Sequence, residues 1–235
     1  LVHGAWHGGW CWADTEREMH ALGHETHAVT LTGLGERSHL ATPDVDADVH
    51  VQDVVNTLRW RELSDVILVG HSYGGMVITG VAGQMPERLR ALVYLDAMVP
   101  EESGLSMFTK AAPDRMARFQ AEIDNGATTL APDLFDAWTS DPVKKEWLKS
   151  MCTRHPIGCF QKGVTLTSRE KEVARKHYII AARNKPSAFW PEYEKVKARP
   201  DWSTATIDTL HDAMVEAPAE LARQLDEVAR METDT

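Results

Sequence analysis

A serine framed by two glycines, in Gly70-His71-Ser72-Tyr73-Gly74, constrains the fold of this 235-residue chain more than any other segment. The continuous apolar run Val66–Val69 precedes it, and a helical pattern over Ser72–Met85 follows it. A serine at such a strand-to-helix turn has strained backbone angles, and the flanking glycines avoid collisions that side chains would cause. The segment therefore predicts a nucleophilic serine, lifted out of the sheet at the end of a buried strand.

Short apolar runs alternate with helical patterns along most of the chain. Such alternation is typical of an α/β fold with a mostly parallel sheet and right-handed crossovers. The predicted strands are Leu1-Val2, His27–Leu31, Val66–Val69, Ala91–Leu95, Tyr178–Ala182 and Ala205–Ile207, and the predicted helices are Cys11–Leu22, Asp46–Glu62, Ser72–Met85, Trp190–Lys197 and Ala219–Arg230. Two apolar residues are few for a central strand, so we expect the natural chain to have further residues before Leu1.

The stretch from Pro100 to about Arg175 differs in character from the rest, because its patterns are mostly helical and irregular. Residues 101–200 carry 17 basic and 13 acidic side chains, a net charge of +4, although the whole chain has a net charge of −10. A shift of this kind indicates an insertion between two parts of one core domain.

Composition excludes several classes of function. The net charge of −10 argues against nucleic acid or an anionic membrane as the main partner. No run reaches the ~18 apolar residues of a membrane helix, and no basic segment typical of a secretory leader precedes the first motif. Three scattered cysteines, Cys11, Cys152 and Cys159, indicate reduced thiols. We therefore expect a cytoplasmic location.

Two further segments carry residue types that acyl transfer requires. The reaction needs two backbone N–H donors for the developing oxyanion, and Tyr73, which follows the serine, is one candidate. The glycine-rich loop His3–Trp10 offers the other at Ala5. His211 lies between the last short strand and the terminal helix, where an imidazole can take the serine proton and return it to the leaving group.

The sequence resembles the α/β-hydrolase superfamily, and within it the branch of plant methylesterases, hydroxynitrile lyases and bacterial esterase-like relatives. The resemblance is densest in His3–Trp12, Leu31–Leu40, Val66–Gly80, Leu92–Pro100 and Leu210–Pro218. It implies a mostly parallel, eight-stranded sheet in a core of residues 1–100 and 176–235. It also implies that residues 101–175 form a helical cap over the active site.

The acid of the expected Ser-His-acid triad departs from the pattern of the family. The family usually carries this acid after the strand that is here Tyr178–Ala182, where Asn184 now stands. An asparagine can orient an imidazole but cannot stabilise imidazolium by charge. Asp96 ends the strand after the nucleophile helix and interrupts an apolar run, so its buried charge needs a partner. We therefore expect Asp96 to be the triad acid.

These residues favour hydrolysis of a small carboxylic ester through an acyl-enzyme. Two alternatives stay open: hydroxynitrile lyase chemistry and a non-catalytic receptor for small ligands. The lyase relatives have a threonine in the first loop and a lysine after the histidine, where this chain has Gly4 and Asp212. Receptors on this fold tend to lose a triad member, whereas Ser72 and His211 are both present.

A capped pocket implies a small substrate. The candidate lining residues are Trp6 and His71 from the core and Met107, Phe108, Phe135, Trp138, Trp147 and Phe160 from the inserted stretch. We expect no metal or other cofactor, because His20, His24 and His27 span a helix end and a strand start, and no nucleotide-binding motif occurs. The oligomeric state stays open from the sequence, a homodimer included.

Overall fold

The computed structural model describes residues 1–231. Its strands are β1 (Val66–His71), β2 (Leu89–Leu95), β3 (Thr129–Leu130), β4 (His155–Pro156), β5 (Lys176–Ala181) and β6 (Trp202–Ile207). Its α-helices are α1 (Ala13–Ala21), α2 (Ala47–Trp60), α3 (Gly74–Gln84), α4 (Met107–Lys110), α5 (Pro113–Asp124), α6 (Phe135–Trp138), α7 (Pro142–Met151), α8 (Gly158–Gln161), α9 (Phe189–Lys197), α10 (Ala213–Glu216) and α11 (Pro218–Arg230). Short 3₁₀ turns cover Gly9–Trp12, Gly35–Leu40, Pro86–Arg88 and Arg169–Glu172.

The central sheet is parallel and has the strand order β1-β2-β5-β6. Val2 forms isolated parallel bridges to Gly70 of β1 and to Val29, which extends the sheet by two short segments. Helix α3 packs on β1 and on α2, α9 packs on β5 and β6, and α1 packs on α11. The predicted α/β class is therefore confirmed.

The sheet has fewer strands than the resemblance implies. Within residues 1–231 it has four strands and two single-residue bridges, not eight strands. The predicted strand His27–Leu31 is reduced to Val29, because its neighbour Val2 leaves the sheet for a turn at Ala5 and Trp6 and offers only a short edge.

The elements nearest the predicted serine are buried because their sequences are apolar. Every residue of α3 from Gly74 to Gly83 is buried, and so are the last four residues of β1. Helix α2 begins at an N-cap, Asp46, whose carboxylate accepts a hydrogen bond from the Val49 N–H (3.0 Å). Its apolar side chains then pack on α3. This packing holds the β1–α3 turn in place.

The inserted segment, residues 101–175, lies between β2 and β5 in the chain. It contains α4–α8, as its helical pattern predicts, and also the antiparallel pair β3–β4. Hydrogen bonds join it to the first loop: the Thr153 N–H donates to Trp6 O (3.0 Å), and Trp6 donates from its backbone N–H to His155 Nδ1 (3.1 Å) and from its indole N–H to Leu130 O (3.0 Å). Within the described part of the chain, every helix is too short or too polar to span a lipid bilayer.

Candidate active site

Ser72 lies at the sharp turn between β1 and α3. Its φ of 55° is in the left-handed region, which a non-glycine residue rarely adopts. A Cβ at Gly70 would lie 2.5 Å from the Gly74 carbonyl oxygen, so the turn admits no side chain there. The Ser72 N–H donates to Leu95 O (3.1 Å), and the Ser72 carbonyl accepts from the Met98 N–H (3.1 Å). Hydrogen bonds to β2 and to the residues that follow it therefore hold the strained backbone of Ser72 in place.

His211 lies in the loop between β6 and α10. Its N–H donates to Ala137 O of the inserted segment (3.1 Å). Its ring is held between the rings of His71 (centroids 4.4 Å apart) and Phe189 (5.0 Å, nearly parallel). His211 and Ser72 line the same cavity, and within residues 1–231 no hydrogen bond joins their side chains. Catalytic hydrogen bonds are often long without substrate and tighten when it binds.

A carboxylate engages the far side of the His211 ring. Asp96 Oδ2 lies 2.5 Å from His211 Nδ1, and Asp96 is fully buried with a φ of 43°. The Asn184 Nδ2–H donates to the same oxygen (2.7 Å) and lies 3.5 Å from His211 Nδ1. The Ala181 N–H donates to Asp96 Oδ1 (3.3 Å). Asp96 is therefore the carboxylate in contact with the imidazole, and Asn184 supports it.

Two backbone N–H groups, those of Ala5 and Tyr73, have no hydrogen-bond acceptor within residues 1–231. The loop that carries Ala5 approaches Ser72 closely, since a Cβ at Gly4 would lie 3.0 Å from Ser72 Cβ. In this loop Trp6 has a left-handed backbone conformation, with a φ of 66°. Tyr73 contributes only its backbone, because its ring is buried away from the cavity.

A buried ion pair joins the first loop to the His211 loop. His7 Nε2 lies 3.0 Å from Asp212 Oδ2, and His7 Nδ1 lies 2.8 Å from Ala5 O. Burial disfavours protonation of His7, but the Asp212 charge and hydrogen bond outweigh it, so the pKa of His7 is raised. The Asp212 carboxylate faces His7 and does not line the cavity.

The cavity above Ser72 measures about 200 Å³. Five of the eight residues expected to line it do so: Trp6, His71, Met107, Trp138 and Phe160. Phe108, Phe135 and Trp147 do not line it, contrary to expectation. They pack instead on Phe119, Trp138 and Trp10, respectively.

Among the lining side chains that the sequence did not indicate are Lys110, Arg115 and Phe189. No motif marks them, since the folding of α4, α5 and α9 alone brings them to Ser72. Burial keeps the neighbouring imidazole of His71 neutral by lowering its pKa well below the usual value. A larger cavity of about 460 Å³ lies among Leu1, Val66 and α11, at the other end of the strands from Ser72.

Within residues 1–231, two groups of side chains place potential metal-ligating atoms within 4.8 Å of one another: His50 with His155 and Cys159, and His71 with His211 and Asp212. Several of the imidazole nitrogens in these groups already form hydrogen bonds. His50 bonds to Tyr73 Oη and Thr32 O, and His211 Nδ1 bonds to Asp96. The three predicted histidines His20, His24 and His27 belong to neither group.

The chain is similar to known proteins along nearly its whole length. The family model described as "Alpha/beta hydrolase family" matches residues 1–224. The chain is 37% identical to the carbendazim hydrolyzing esterase of Nocardioides sp. (strain SG-4G), over 96% of each protein. It is 32% identical to Methylesterase 1 of Arabidopsis thaliana, over 43% of this chain and 39% of that protein.

Among solved structures, an extracellular alpha/beta-hydrolase from a Paenibacillus species, described as sharing structural and functional homology with tobacco salicylic acid binding protein 2, superimposes with a TM-score of 0.86. The match covers 98% of each chain at 19% identity, and it therefore supports the fold alone.

Proposed function

Since the chain belongs to the alpha/beta hydrolase family, we propose that it is a serine hydrolase that cleaves small carboxylic esters, with Ser72, His211 and Asp96 as its catalytic triad. The contact between Asp96 Oδ2 and His211 Nδ1, beside the cavity that holds Ser72, carries this proposal. It gives the imidazole a fixed tautomer, with Nε2 free to accept a proton.

In the first step Ser72 Oγ attacks the ester carbonyl carbon while His211 Nε2 takes the hydroxyl proton. The Ala5 and Tyr73 N–H groups donate to the oxyanion of the tetrahedral intermediate. The bond from carbon to the alcohol oxygen then breaks, and His211 returns the proton to the departing alcohol. Asp96 stabilises the imidazolium that exists between these proton transfers.

In the second step water attacks the acyl-Ser72 carbonyl, and His211 accepts a proton from that water. The ester bond to Ser72 Oγ breaks, Oγ regains its proton from His211, and the carboxylic acid leaves. Because the same groups serve both half-reactions, loss of Ser72 prevents the acyl-enzyme from forming at all.

The cavity sets the size of the substrate. At about 200 Å³ it is smaller than the roughly 300–1,000 Å³ typical of pockets for drug-sized ligands. In this proposal residues 101–175 act as a cap over the core of residues 1–100 and 176–235, since Trp138 and Phe160 close the cavity from that segment. Carbendazim, which the name of the Nocardioides relative gives as its substrate, belongs in the first substrate panel.

The proposal is tested with short-chain nitrophenyl esters and with labelling by a fluorophosphonate, which reacts with activated serines. We expect the wild type to turn over and to be labelled, and Ser72→Ala to lose both. Ser150→Ala, at an exposed serine of α7, is the matched control and keeps both. A folded wild type that is neither labelled nor active on a broad ester panel refutes the proposal and favours the receptor alternative.

Lyase chemistry has less support in the structure. Asp212, which follows His211, turns to His7, so no ammonium group stands at that position beside the cavity. Cyanide release from mandelonitrile above the uncatalysed rate is the assay that distinguishes a lyase.

A further inference from the structure

The charged side chains that line the active-site cavity are all cationic. They are Lys110 and Arg115, beside the His7 imidazole that pairs with Asp212, and among residues 1–231 no aspartate or glutamate lines the cavity. The cavity is thus lined by positive charge, although the whole chain has a net charge of −10. Local cations in a low-dielectric cleft attract and orient anions even when the remainder of the protein repels them.

The positive charge of Arg115 is only partly compensated. Its Nη2 lies 3.1 Å from Asp133 Oδ1, but Arg118 Nη2 lies 2.6 Å from the other oxygen of the same carboxylate. Two guanidinium groups thus share one negative charge. The Arg115 Nε–H is buried and has no hydrogen-bond partner within residues 1–231. The site therefore has spare positive charge and a spare donor.

Aromatic rings fix the position of Arg115. Its guanidinium carbon lies 5.2 Å from the ring centroid of Trp6 and 5.1 Å from that of Phe119. Trp6 directly follows Ala5, whose N–H faces the oxyanion in the proposed function. Arg115, Ala5 and Ser72 all line this one small cavity, so a bound ester is within the space that the guanidinium borders. A planar guanidinium that is already desolvated and stacked is well suited to bind a carboxylate.

Lys110 adds a second cation from α4. Its Nζ lies 2.8 Å from Glu192 Oε1, so its charge is balanced from outside the cavity. Lys110 therefore contributes less than Arg115 to the attraction of an anion into the cavity.

The geometry points to a monoester of a dicarboxylic acid as the preferred substrate, with its free carboxylate bound by Arg115 and its ester carbonyl at Ser72. This inference rests on the proposed function and specifies its substrate class. The carboxylate stays intact throughout; only the ester bond is cleaved, and the products are an alcohol and the dicarboxylic acid.

The test compares monomethyl glutarate with dimethyl glutarate, two esters that differ by one methyl group and one charge. We expect wild-type kcat/KM to be about tenfold to hundredfold higher for the monoester. The preference decreases as NaCl is raised, because exposed parts of the charge interaction are screened. A wild type that prefers the diester overturns the inference and leaves the proposed function intact.

Arg118→Gln is the matched control for Arg115→Gln. Both arginines pair with Asp133, but Arg118 does not line the cavity. We expect Arg115→Gln to lower the ratio of monoester to diester kcat/KM at least tenfold, Arg115→Lys to restore part of it, and Arg118→Gln to leave it unchanged. An equal decrease in both glutamine variants means that Asp133 pairing, not substrate contact, is the role of Arg115, and the inference fails.

Binding without turnover separates this inference from the proposed function. Glutarate is titrated into Ser72→Ala and into Ser72→Ala/Arg115→Gln, with the fluorescence of Trp6 and its neighbours as the signal. We expect at least tenfold weaker binding in the double variant. If the wild type cleaves no ester but glutarate binds through Arg115, the site stands as an anion site and the hydrolase proposal falls. Equal binding by the two variants, or none, overturns the inference.

Discussion

Replacing Asp96 with asparagine is expected to reduce kcat for ester hydrolysis by about 10³–10⁴-fold. Asp96 Oδ2 accepts from both His211 Nδ1 and Asn184 Nδ2 (2.5 and 2.7 Å). If the new amide places its NH₂ at this position, it faces a donor on Asn184 and forces His211 into the tautomer that cannot accept the serine proton. If it places its oxygen there, the charge that stabilises imidazolium is lost. The corresponding change in serine proteases costs ~10⁴-fold, or about 5.4 kcal/mol of transition-state stabilisation.

The matched variant is Asn184→Ala, which removes one hydrogen bond from the Asp96 carboxylate and keeps its charge. A hydrogen bond to a charged group contributes about 1.5–3 kcal/mol, so the loss of rate is at most roughly 10- to 150-fold. Asp96→Asn is therefore the more severe change by at least about sevenfold. Both rates are measured as kcat on a saturating nitrophenyl ester, with near-ultraviolet circular dichroism to verify the fold.

Exchanging the two side chains sharpens the test. In Asp96→Asn/Asn184→Asp the carboxylate moves to a position whose side chain already comes within 3.5 Å of His211 Nδ1. We expect this double variant to be more active than Asp96→Asn alone and less active than the wild type. The reasoning is refuted if Asn184→Ala is the slower single variant, or if Asp96→Asn retains more than a tenth of the wild-type rate.

Three further predictions concern stability. Asp212→Ala removes the partner of the buried His7, and we expect a loss of about 3–5 kcal/mol in the free energy of unfolding in urea; a loss below 1 kcal/mol contradicts a buried ion pair. Burial lowers the pKa of His3 to about 3 and of His50 to about 4, so below pH 6.5 the unfolded chain binds protons that the folded chain excludes. Stability then decreases as pH falls, by about 4 kcal/mol for the two histidines at pH 5, and urea titrations at pH 7.5 and 5 that agree contradict this prediction. Gly70→Ala places a Cβ 2.5 Å from a backbone oxygen, and we expect it to abolish soluble expression, whereas Gly23→Ala, at an exposed turn, expresses.

Much of the fold and of the candidate site could be predicted from local sequence signals. The apolar run and the glycines around Ser72 correctly predict a strand, a turn and a helix. Asp96 could be singled out because a carboxylate at the end of an apolar strand must find a partner. His211 could be chosen by its position after the last strand.

The remaining features depend on contacts between distant parts of the chain. His7 and Asp212 are 205 residues apart, and only the packed structure shows that they pair. In the inserted segment the aromatic residues look alike in sequence, yet Phe160 lines the cavity while Trp147 is 39% exposed. Val29 forms only a single bridge because its neighbour Val2 leaves the sheet at once. No periodicity in residues 27–31 reveals the path of that neighbour.

Residues 66–96 form one unbroken strand–helix–strand unit that carries Ser72, the Tyr73 amide and Asp96. The inserted segment begins only after this unit ends, so a foreign lid could be grafted between β2 and β5 without disturbing the spacing of these three groups. The graft must nevertheless meet one requirement. The backbone amides of His211 and Asp212 dock on the carbonyls of Ala137 and Trp138, so a transplanted lid has to present two acceptors at that place.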